Sequence, residues 1–135
     1  MAAKMQKGTL IAVVDDEESV RKALQRLIRS AGFDVEAFRS GAEFLTSMQH
    51  HEPACLVLDL HMPGVNGFDV QDELNLARVR LPVVVITGHD TPGARSRAMS
   101  QGAAAYLCKP VDESMLMRAI NEALENRAAP PAGGS

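Results

Sequence analysis

The chain lacks tryptophan, has one tyrosine and two cysteines among its 135 residues, and contains no long apolar run. A helix that crosses a bilayer needs about 20 mostly apolar residues, and the start MAAKMQKGTL has no apolar stretch of the kind found in secretory signals. Two cysteines cannot build a disulfide framework, and their spacing matches no metal-ligand motif. We therefore expect a cytoplasmic protein in which Cys55 and Cys108 are buried free thiols.

The chain also lacks a large excess of charge of either sign. The formal net charge is −3 and the isoelectric point is near 5.8, which gives no bulk attraction to nucleic acid or to anionic membranes. We therefore predict no direct nucleic-acid or membrane partner. The length is that of one typical domain, and the 46% of hydrophobic residues is enough for a sizeable core.

What is present is a regular alternation of short β-branched runs with helical patterns. The predicted strands are Leu10–Val14, Val35–Phe38, Cys55–Leu58, Val83–Ile86 and Ala104–Cys108. The predicted helices are 17–31, one beginning after Ser40, 68–77, one from about Pro92 to Gln101, and one beginning after Asp112. This alternation predicts an α/β fold, a flavodoxin-like (βα)5 three-layer structure with a doubly wound parallel five-stranded sheet of order 2-1-3-4-5.

Helix starts are marked by specific residues. Ser40, with Glu43 three residues later, predicts a capping box. Asp112 is the predicted N-cap of the last helix. Pro92 is expected near the first position of the fourth helix.

The fourth helix has few large apolar residues, chiefly Ala98 and Met99, so it is a candidate mobile element. Arg95 and Arg97 are interpreted as its solvated face or, alternatively, as part of a partner or dimer surface.

The chain divides into three parts on composition. We expect an N-terminal extension at 1–8, one domain at 9–126, and a disordered tail or linker at 127–135, where RAAPPAGGS is rich in proline, glycine and alanine.

Polar residues follow four of the apolar strands. In an open parallel sheet the carboxyl ends of the strands line one crevice where ligands bind, so these residues should converge on one small site. They are Asp15, Asp16, Asp59, Thr87 and Lys109.

Three of these residues are carboxylates. Asp15 and Asp16 are adjacent, and Asp59 comes from the neighbouring strand, so their charges repel unless a cation lies between them. Oxygen ligands without a thiolate favour Mg²⁺ or Mn²⁺. Alternatively, either of the first two residues only caps the first helix.

The same set of residues suits a phosphoryl group. Asp59 can carry it as an acyl phosphate, while Lys109 and the Thr87 hydroxyl can contact its other oxygens. Taken alone, Lys109 could be an ordinary solvated lysine and Thr87 an ordinary strand end.

Four segments together resemble the receiver domains of two-component response regulators, from about Thr9 to Asn126. The similarity is greatest to the receivers of nitrogen-fixation and LuxR-type transcriptional regulators. The segments are VVDDEE (Val13–Glu18), LVLDLHMPGVNG (Leu56–Gly67), VVVITGH (Val83–His89) and AYLCKP (Ala105–Pro110).

The resemblance implies that Asp59 is the phosphoacceptor and that Mg²⁺ is the cofactor. Asp16 would bind the metal directly, Asp15 mainly through water, and His61 through its backbone carbonyl. Asp59 would also contact the metal.

The resemblance also implies a switch. Lys109 would pair with the phosphoryl group, Thr87 would hydrogen-bond to it, and Tyr106 would rotate in response. The surface formed by the fourth helix, the fifth strand and the fifth helix would then change.

The implied partner is a sensor histidine kinase or a histidine phosphotransfer protein, with possible homodimerisation on phosphorylation and a transcriptional output. The resemblance also implies that the chain is a phosphoacceptor and not an enzyme in the ordinary sense. Weak autophosphorylation and autophosphatase activity are expected. Three alternatives stay open. The first is an aspartyl phosphatase of the haloacid-dehalogenase type, which would need an acidic residue where His61 stands. The others are a flavodoxin-like electron carrier and a binding module that acts without phosphorylation.

Overall fold

The computed structural model describes residues 8–50 and 52–128, with residues 127 and 128 described by their backbone alone. The strands are β1 (Leu10–Val14), β2 (Asp34–Phe38), β3 (Cys55–Asp59), β4 (Val83–Thr87) and β5 (Ala105–Cys108). The helices are α1 (Glu18–Ser30), α2 (Gly41–Ser47), α3 (Gly67–Leu76), α4 (Ala94–Ser100) and α5 (Glu113–Ala128). No helix in the described ranges is both long and apolar enough to cross a membrane.

The five strands form one parallel sheet in the order β2-β1-β3-β4-β5. The predicted fold class and strand order are therefore confirmed. β1, β3 and β4 lie inside the sheet, and β3 and β4 are buried along their whole length. This burial on both faces explains why their sequences, CLVLD and VVVIT, are apolar without alternation.

The sheet separates two apolar layers because successive side chains of a strand point to opposite faces. Ile11 and Val13 of β1 belong to the layer under α1 and α5, whereas Ala12 and Val14 belong to the layer under α2, α3 and α4. The first layer buries large aliphatic side chains of its helices, namely Leu24, Ile28, Leu116 and Ile120. The second layer includes Phe44, Val70, Leu74, Ala98 and Tyr106.

Two helix caps were predicted from sequence. Asp112 Oδ1 accepts a hydrogen bond from the backbone N–H of Met115 at 3.0 Å, as predicted. Ser40 Oγ accepts from the N–H of Glu43 at 3.1 Å, but the Glu43 carboxylate accepts from the N–H of Arg39 and not of Ser40. The Ser40 capping box is therefore half formed, because Glu43 also pairs with the Arg39 guanidinium.

The start of α4 was predicted wrongly. The helix begins at Ala94, two residues after Pro92, since Gly93 adopts a left-handed φ of 90° that no helical residue has. The buried residues of α4 are Ala94 and Ala98, and Met99 is 41% exposed. The helix therefore buries no large apolar side chain among these residues, in line with the expectation that it is weakly anchored.

Cys55 is buried as expected, but Cys108 is exposed. β5 is an edge strand of four residues, and only Tyr106 within it is buried. Cys108 is the last residue of this strand. The predicted extension at 1–8 and tail at 127–135 lie almost entirely outside the described residues.

Candidate functional site

The strand register brings the predicted polar residues to one edge of the sheet. Val14 of β1 is paired with Leu58 of β3, so the residues that follow, Asp15 and Asp59, stand side by side. Thr87 is the last residue of β4 and is paired with Cys108 of β5. The backbone N–H of the next residue, Lys109, donates to the Thr87 carbonyl at 2.8 Å.

The three carboxylates lie together. One oxygen from each of Asp15, Asp16 and Asp59 falls within 4.8 Å of the other two. Asp15 and Asp59 are buried, at 0% and 2% exposed, whereas Asp16 is exposed. The cluster is therefore buried at Asp15 and Asp59 and open to solvent at Asp16. Its oxygen atoms could hold a divalent cation.

Lys109 supplies the positive charge of the site. Its Nζ lies 3.0 Å from Asp15 Oδ2, 3.6 Å from Asp59 Oδ2 and 3.0 Å from Glu17 Oε1. The Lys109–Pro110 peptide bond is cis. Burial alone would lower the pKa of Lys109, but its hydrogen bonds to Asp15 and Glu17 raise it above the ordinary value. The ammonium therefore stays charged.

Burial governs the charge state of the acids. It raises the pKa of Asp59 to about 7, with the Asp15 charge adding to the effect, while Lys109 and the backbone N–H of His61 work against it. Burial likewise raises the pKa of Asp15, against hydrogen bonds from the Glu17 N–H and Lys109. One ammonium is therefore too little for three carboxylates, and the site favours a further cation.

One buried acceptor supports the same conclusion. Asp15 Oδ1 accepts a hydrogen bond from the backbone N–H of Glu17 at 2.9 Å. Asp15 Oδ2 is buried, and its close partner is the Lys109 ammonium at 3.0 Å, which is shared with Glu17 and Asp59. A buried carboxylate oxygen whose partner is shared in this way is costly unless something else binds it.

Gly67 brings the start of α3 against the end of β3. A Cβ at this position would lie 2.7 Å from the Asp59 carbonyl oxygen and 2.7 Å from Leu60 Cα. The Gly67 N–H donates to the Leu60 carbonyl at 2.9 Å. A capping box formed by Asn66 and Asp69 starts the helix there. Only glycine permits this approach, which shapes the loop after Asp59.

Thr87 is buried and bound within its own loop. Its Oγ1 accepts from the His89 N–H at 3.0 Å and donates to the His89 carbonyl at 3.2 Å. His61 Nε2 lies 3.2 Å from the same carbonyl, and the two imidazole rings meet edge to face at 5.4 Å. The loops after β3 and β4 are thus joined at the rim of the site. The sequence prediction that the His61 carbonyl binds metal stays a prediction.

Tyr106, the predicted switch residue, lies apart from the acid cluster, in the layer under α4. Its hydroxyl donates to Asp90 Oδ1 at 3.0 Å, and the Arg95 guanidinium lies 5.6 Å from its ring centroid. Burial and the Asp90 hydrogen bond raise the pKa of Tyr106 to about 12. Arg97 lies 4.0 Å from the ring of Phe68. Arg95 and Arg97 are both exposed, as predicted for a solvated face, and each also lies near an aromatic ring.

Sequence reasoning missed two residues of the site. Glu17 pairs with Lys109 from the start of α1, and its position next to the two aspartates was an available signal. Asp90 contacts Tyr106 from sixteen residues away, and no motif in the sequence pairs them.

A doubly wound parallel sheet with an acid cluster and a lysine at its carboxyl edge defines a flavodoxin-like α/β protein with a candidate cation site. Residues 11–121 match the response regulator receiver domain family, and the chain belongs to that family. Receiver domains of two-component systems are phosphorylated by histidine kinases.

Individual relatives agree. The chain is 40% identical over 116 residues to nodulation protein W of Bradyrhizobium diazoefficiens, covering 86% of this chain and 51% of that protein. It is 34% identical to the transcriptional regulatory protein FixJ of Azorhizobium caulinodans, over 92% of this chain and 59% of that protein. The chain thus spans about half the length of these curated relatives.

Solved structures give the same result. The crystal structure of FixJ-N superposes with a TM-score of 0.82 at 34% identity, covering 92% of this chain and 99% of that one. The low-resolution structure of the response regulator StyR gives a TM-score of 0.78 at 41% identity, covering 88% of this chain and 60% of that one. The phosphatase and electron-carrier alternatives find no support in these relatives.

Proposed function

We propose that the chain is a phosphorylation switch in which Asp59 accepts a phosphoryl group from a phosphohistidine in a Mg²⁺-dependent reaction. The observation that carries this proposal is the convergence of three carboxylates and one lysine on the exposed edge of the sheet. The proposed domain spans residues 9–126.

The residues present fit a divalent cation such as Mg²⁺ or Mn²⁺. The donors are all oxygen, two of the three acids are buried, and Asp15 Oδ2 shares the Lys109 ammonium with two other carboxylates. Asp15, Asp16 and Asp59 would hold the ion, with the His61 carbonyl as a further ligand. When bound, it would neutralise charge on the transferring phosphoryl oxygens.

Asp59 would act as the nucleophile. A carboxylate oxygen of Asp59 attacks phosphorus in line with the P–N bond of the donor, the new O–P bond forms as the P–N bond breaks, and the leaving imidazole takes a proton from solvent. Lys109 Nζ lies 3.6 Å from Asp59 Oδ2, so its charge would stabilise the equatorial oxygens of the transferring group.

Thr87 and Tyr106 would turn the chemistry into a change of surface. A phosphoryl group on Asp59 offers the Thr87 hydroxyl a charged acceptor, stronger than the His89 carbonyl it now binds. Movement of Thr87 toward it would open space for Tyr106, and the surface of α4, β5 and α5 would change as a shift between two populations.

The donor would be a histidine kinase or a histidine phosphotransfer protein, and phosphorylation would promote a homodimer. The names of the relatives, a nodulation protein and a transcriptional regulator, suggest a transcriptional output outside the domain described here. Weak autophosphorylation from small phosphodonors and slow self-dephosphorylation would follow from the same residues.

Intact-mass spectrometry tests the proposal. The wild type is incubated with Mg²⁺ and acetyl phosphate, in parallel with Asp59→Asn and with Asp34→Asn, an exposed aspartate at the start of β2. A gain of about 80 Da, one phosphoryl group, is expected in wild type and Asp34→Asn and not in Asp59→Asn. The adduct should be lost on treatment with hydroxylamine.

A phosphoryl adduct that persists in Asp59→Asn would remove Asp59 from its role. If neither acetyl phosphate nor a kinase phosphorylates the wild type, and beryllofluoride with Mg²⁺ does not bind, the chain is a binding module that works without phosphorylation.

A further inference from the structure

Two histidine side chains at the rim of the site have no part in the proposed phosphoryl transfer. His61 lies in the loop after β3 and His89 in the loop after β4, and both are exposed. Their rings meet edge to face, with centroids 5.4 Å apart and planes inclined at 70°. The proposed Mg²⁺ site uses only the backbone carbonyl of His61, so both imidazoles remain available to another ligand.

The spacing of the two rings is that of a metal chelate. Zn²⁺ binds imidazole nitrogens at about 2.0 to 2.1 Å in tetrahedral geometry, which places the centroids of two ligating rings about 5 Å apart. The observed separation of 5.4 Å is close to this value. Because both side chains are exposed loop residues, small rotations about their χ angles can direct one nitrogen of each ring toward a shared ion.

The hydrogen bonding of His61 selects the nitrogen that would bind a metal. His61 Nε2 lies 3.2 Å from the backbone carbonyl oxygen of His89. A carbonyl oxygen only accepts hydrogen bonds, so Nε2 carries the proton in this contact and Nδ1 keeps its lone pair. Histidines that bind metals usually donate their other ring N–H to a carbonyl or a carboxylate in this way. The contact therefore fixes the tautomer that a metal ligand needs.

Nitrogen ligands set this pair apart from the acid cluster. The donors of the acid cluster are all oxygen, the ligand type that Mg²⁺ prefers. Imidazole instead suits Zn²⁺, Cu²⁺ and Ni²⁺. Two imidazoles leave two positions of a tetrahedral ion for water. The two sites therefore differ in the class of cation that each would take.

We propose that the His61 and His89 imidazoles form a binding site for a transition-metal ion such as Zn²⁺, which ties the loop after β3 to the loop after β4. The first of these loops is connected to Asp59, because the His61 backbone N–H donates to Asp59 Oδ1 at 3.4 Å. An ion bound to both rings restricts this loop and slows phosphorylation of Asp59. The slowing rests on the proposed function, whereas the binding of the ion does not.

The chain provides a matched control for the binding test. It contains four histidines, and the other two, His50 and His51, are adjacent in the sequence. Isothermal titration calorimetry with Zn²⁺ is carried out in millimolar Mg²⁺ on wild type, His61→Ala, His89→Ala and the double variant His50→Ala/His51→Ala. Urea denaturation in EDTA checks that every variant is folded, and analytical ultracentrifugation follows the oligomeric state.

One Zn²⁺ per chain is expected for wild type and for the double variant. Loss of either imidazole of the pair should weaken binding by about tenfold or more, since removing even an outer-shell partner of a metal ligand has an effect of that size. Unchanged affinity in His61→Ala and His89→Ala would overturn the proposal, because the ion would then bind elsewhere, such as the carboxylates or the Cys108 thiol. Absence of binding to wild type, or half an equivalent with dimer formation, would overturn it as well.

A second experiment tests the effect on phosphorylation. Adduct formation from acetyl phosphate and Mg²⁺ is followed by mass, and the rate with Zn²⁺ is divided by the rate without it for each variant. In wild type Zn²⁺ should slow the reaction about fivefold or more, the lower end of the coupling usual between two sites, and in His89→Ala the ratio should be near one. Equal ratios in these two proteins would overturn the restriction of the loop. Absence of any adduct without Zn²⁺ would instead sink the proposed function, and the calorimetry would still decide the metal site.

Discussion

The two faces of the sheet are built differently. Under α1 and α5 the helices bury large aliphatic side chains, among them Ile28, Leu116 and Ile120, each 0% exposed. Under α4 the helix contributes only two buried alanines. Side-chain hydrogen bonds also join this region to α3.

Polar contacts join α3 to α4 and to Gln101, the residue that follows α4. Gln71 Nε2 donates to the Ala98 carbonyl at 3.1 Å, although Gln71 is buried. Asn75 Nδ2 donates to the Gln101 carbonyl at 2.9 Å, and Gln101 Nε2 in turn donates to the Asp72 carboxylate.

Burying an apolar side chain stabilises the fold by roughly 0.8 kcal/mol per CH₂, and this stabilisation is lost when the group is exposed. A hydrogen bond, in contrast, can be exchanged for another with little net cost. The α1 and α5 face therefore serves as the scaffold, and the α4 face is the part that can change its contacts. Both proposed switch residues, Thr87 and Tyr106, are connected to the α4 face, as expected if that face changes its contacts.

Truncating the scaffold should have the largest effect. Ile120→Ala removes a fully buried side chain from α5 and should lower the free energy of unfolding by about 4 kcal/mol. Met115→Ala, on the same helix but 56% exposed, should cost less than about 0.5 kcal/mol. Urea denaturation at pH 7 measures both. Similar losses for the two variants would contradict the view that this face carries the stability.

The acid cluster at the edge shared by both faces should dominate the pH dependence. Burial raises the pKa of Asp59 from 3.8 to about 7, so between these values the folded protein binds a proton that the unfolded chain has lost. Without divalent cations the free energy of unfolding should therefore fall by about 3 kcal/mol as the pH rises from 4 to 8. The raised pKa of Asp15 acts in the same direction.

Mg²⁺ should reverse most of that fall, because it binds the ionised carboxylates of the folded state only. Denaturation in EDTA and in millimolar Mg²⁺, with Asp59→Asn as the control, measures the effect. A wild type whose stability in EDTA rises from pH 4 to pH 8 would rule out the assigned charge state.

Gln71 offers a test of the polar face. Gln71→Ala removes the hydrogen bond to the Ala98 carbonyl, which should lower stability by about 1 to 2 kcal/mol. Hydrogen exchange should increase in α4 and leave α1 and α5 protected, since local opening follows the weakest contacts. Exchange that accelerates equally in every helix would mean that α4 is as firmly tied to the scaffold as α5.

The division between the faces also decides what the sequence could predict. The strands, their order and the convergence of Asp15, Asp59, Thr87 and Lys109 follow from hydrophobic runs and from the geometry of parallel sheets. These features can be predicted because residues that are buried in a strand or helix must be apolar at a regular spacing along the chain.

The polar details could not be predicted in the same way. The Tyr106–Asp90 bond and the α3–α4 contacts join side chains to partners that are distant in sequence and have no fixed spacing. The backbone conformation of Gly93 places the start of α4 later than the sequence predicted. Cys108 is exposed at the end of β5, although the predicted strand order had already placed β5 at the edge of the sheet. Such features are decided by tertiary geometry.

The smallest effect should come from Arg97, the cation nearest an aromatic ring on this face. Its guanidinium lies 4.0 Å from the Phe68 ring centroid, an arrangement worth about 0.5 to 1 kcal/mol at an exposed site. Arg97→Ala should cost about that much, and Arg97→Lys less. The matched control is Arg39→Ala, whose exposed ion pair with Glu43 should contribute about 0.3 kcal/mol and weaken in salt. If Arg97→Ala is neutral while Arg39→Ala is not, the ring contact adds nothing, and the amide hydrogen bonds alone join α4 to α3.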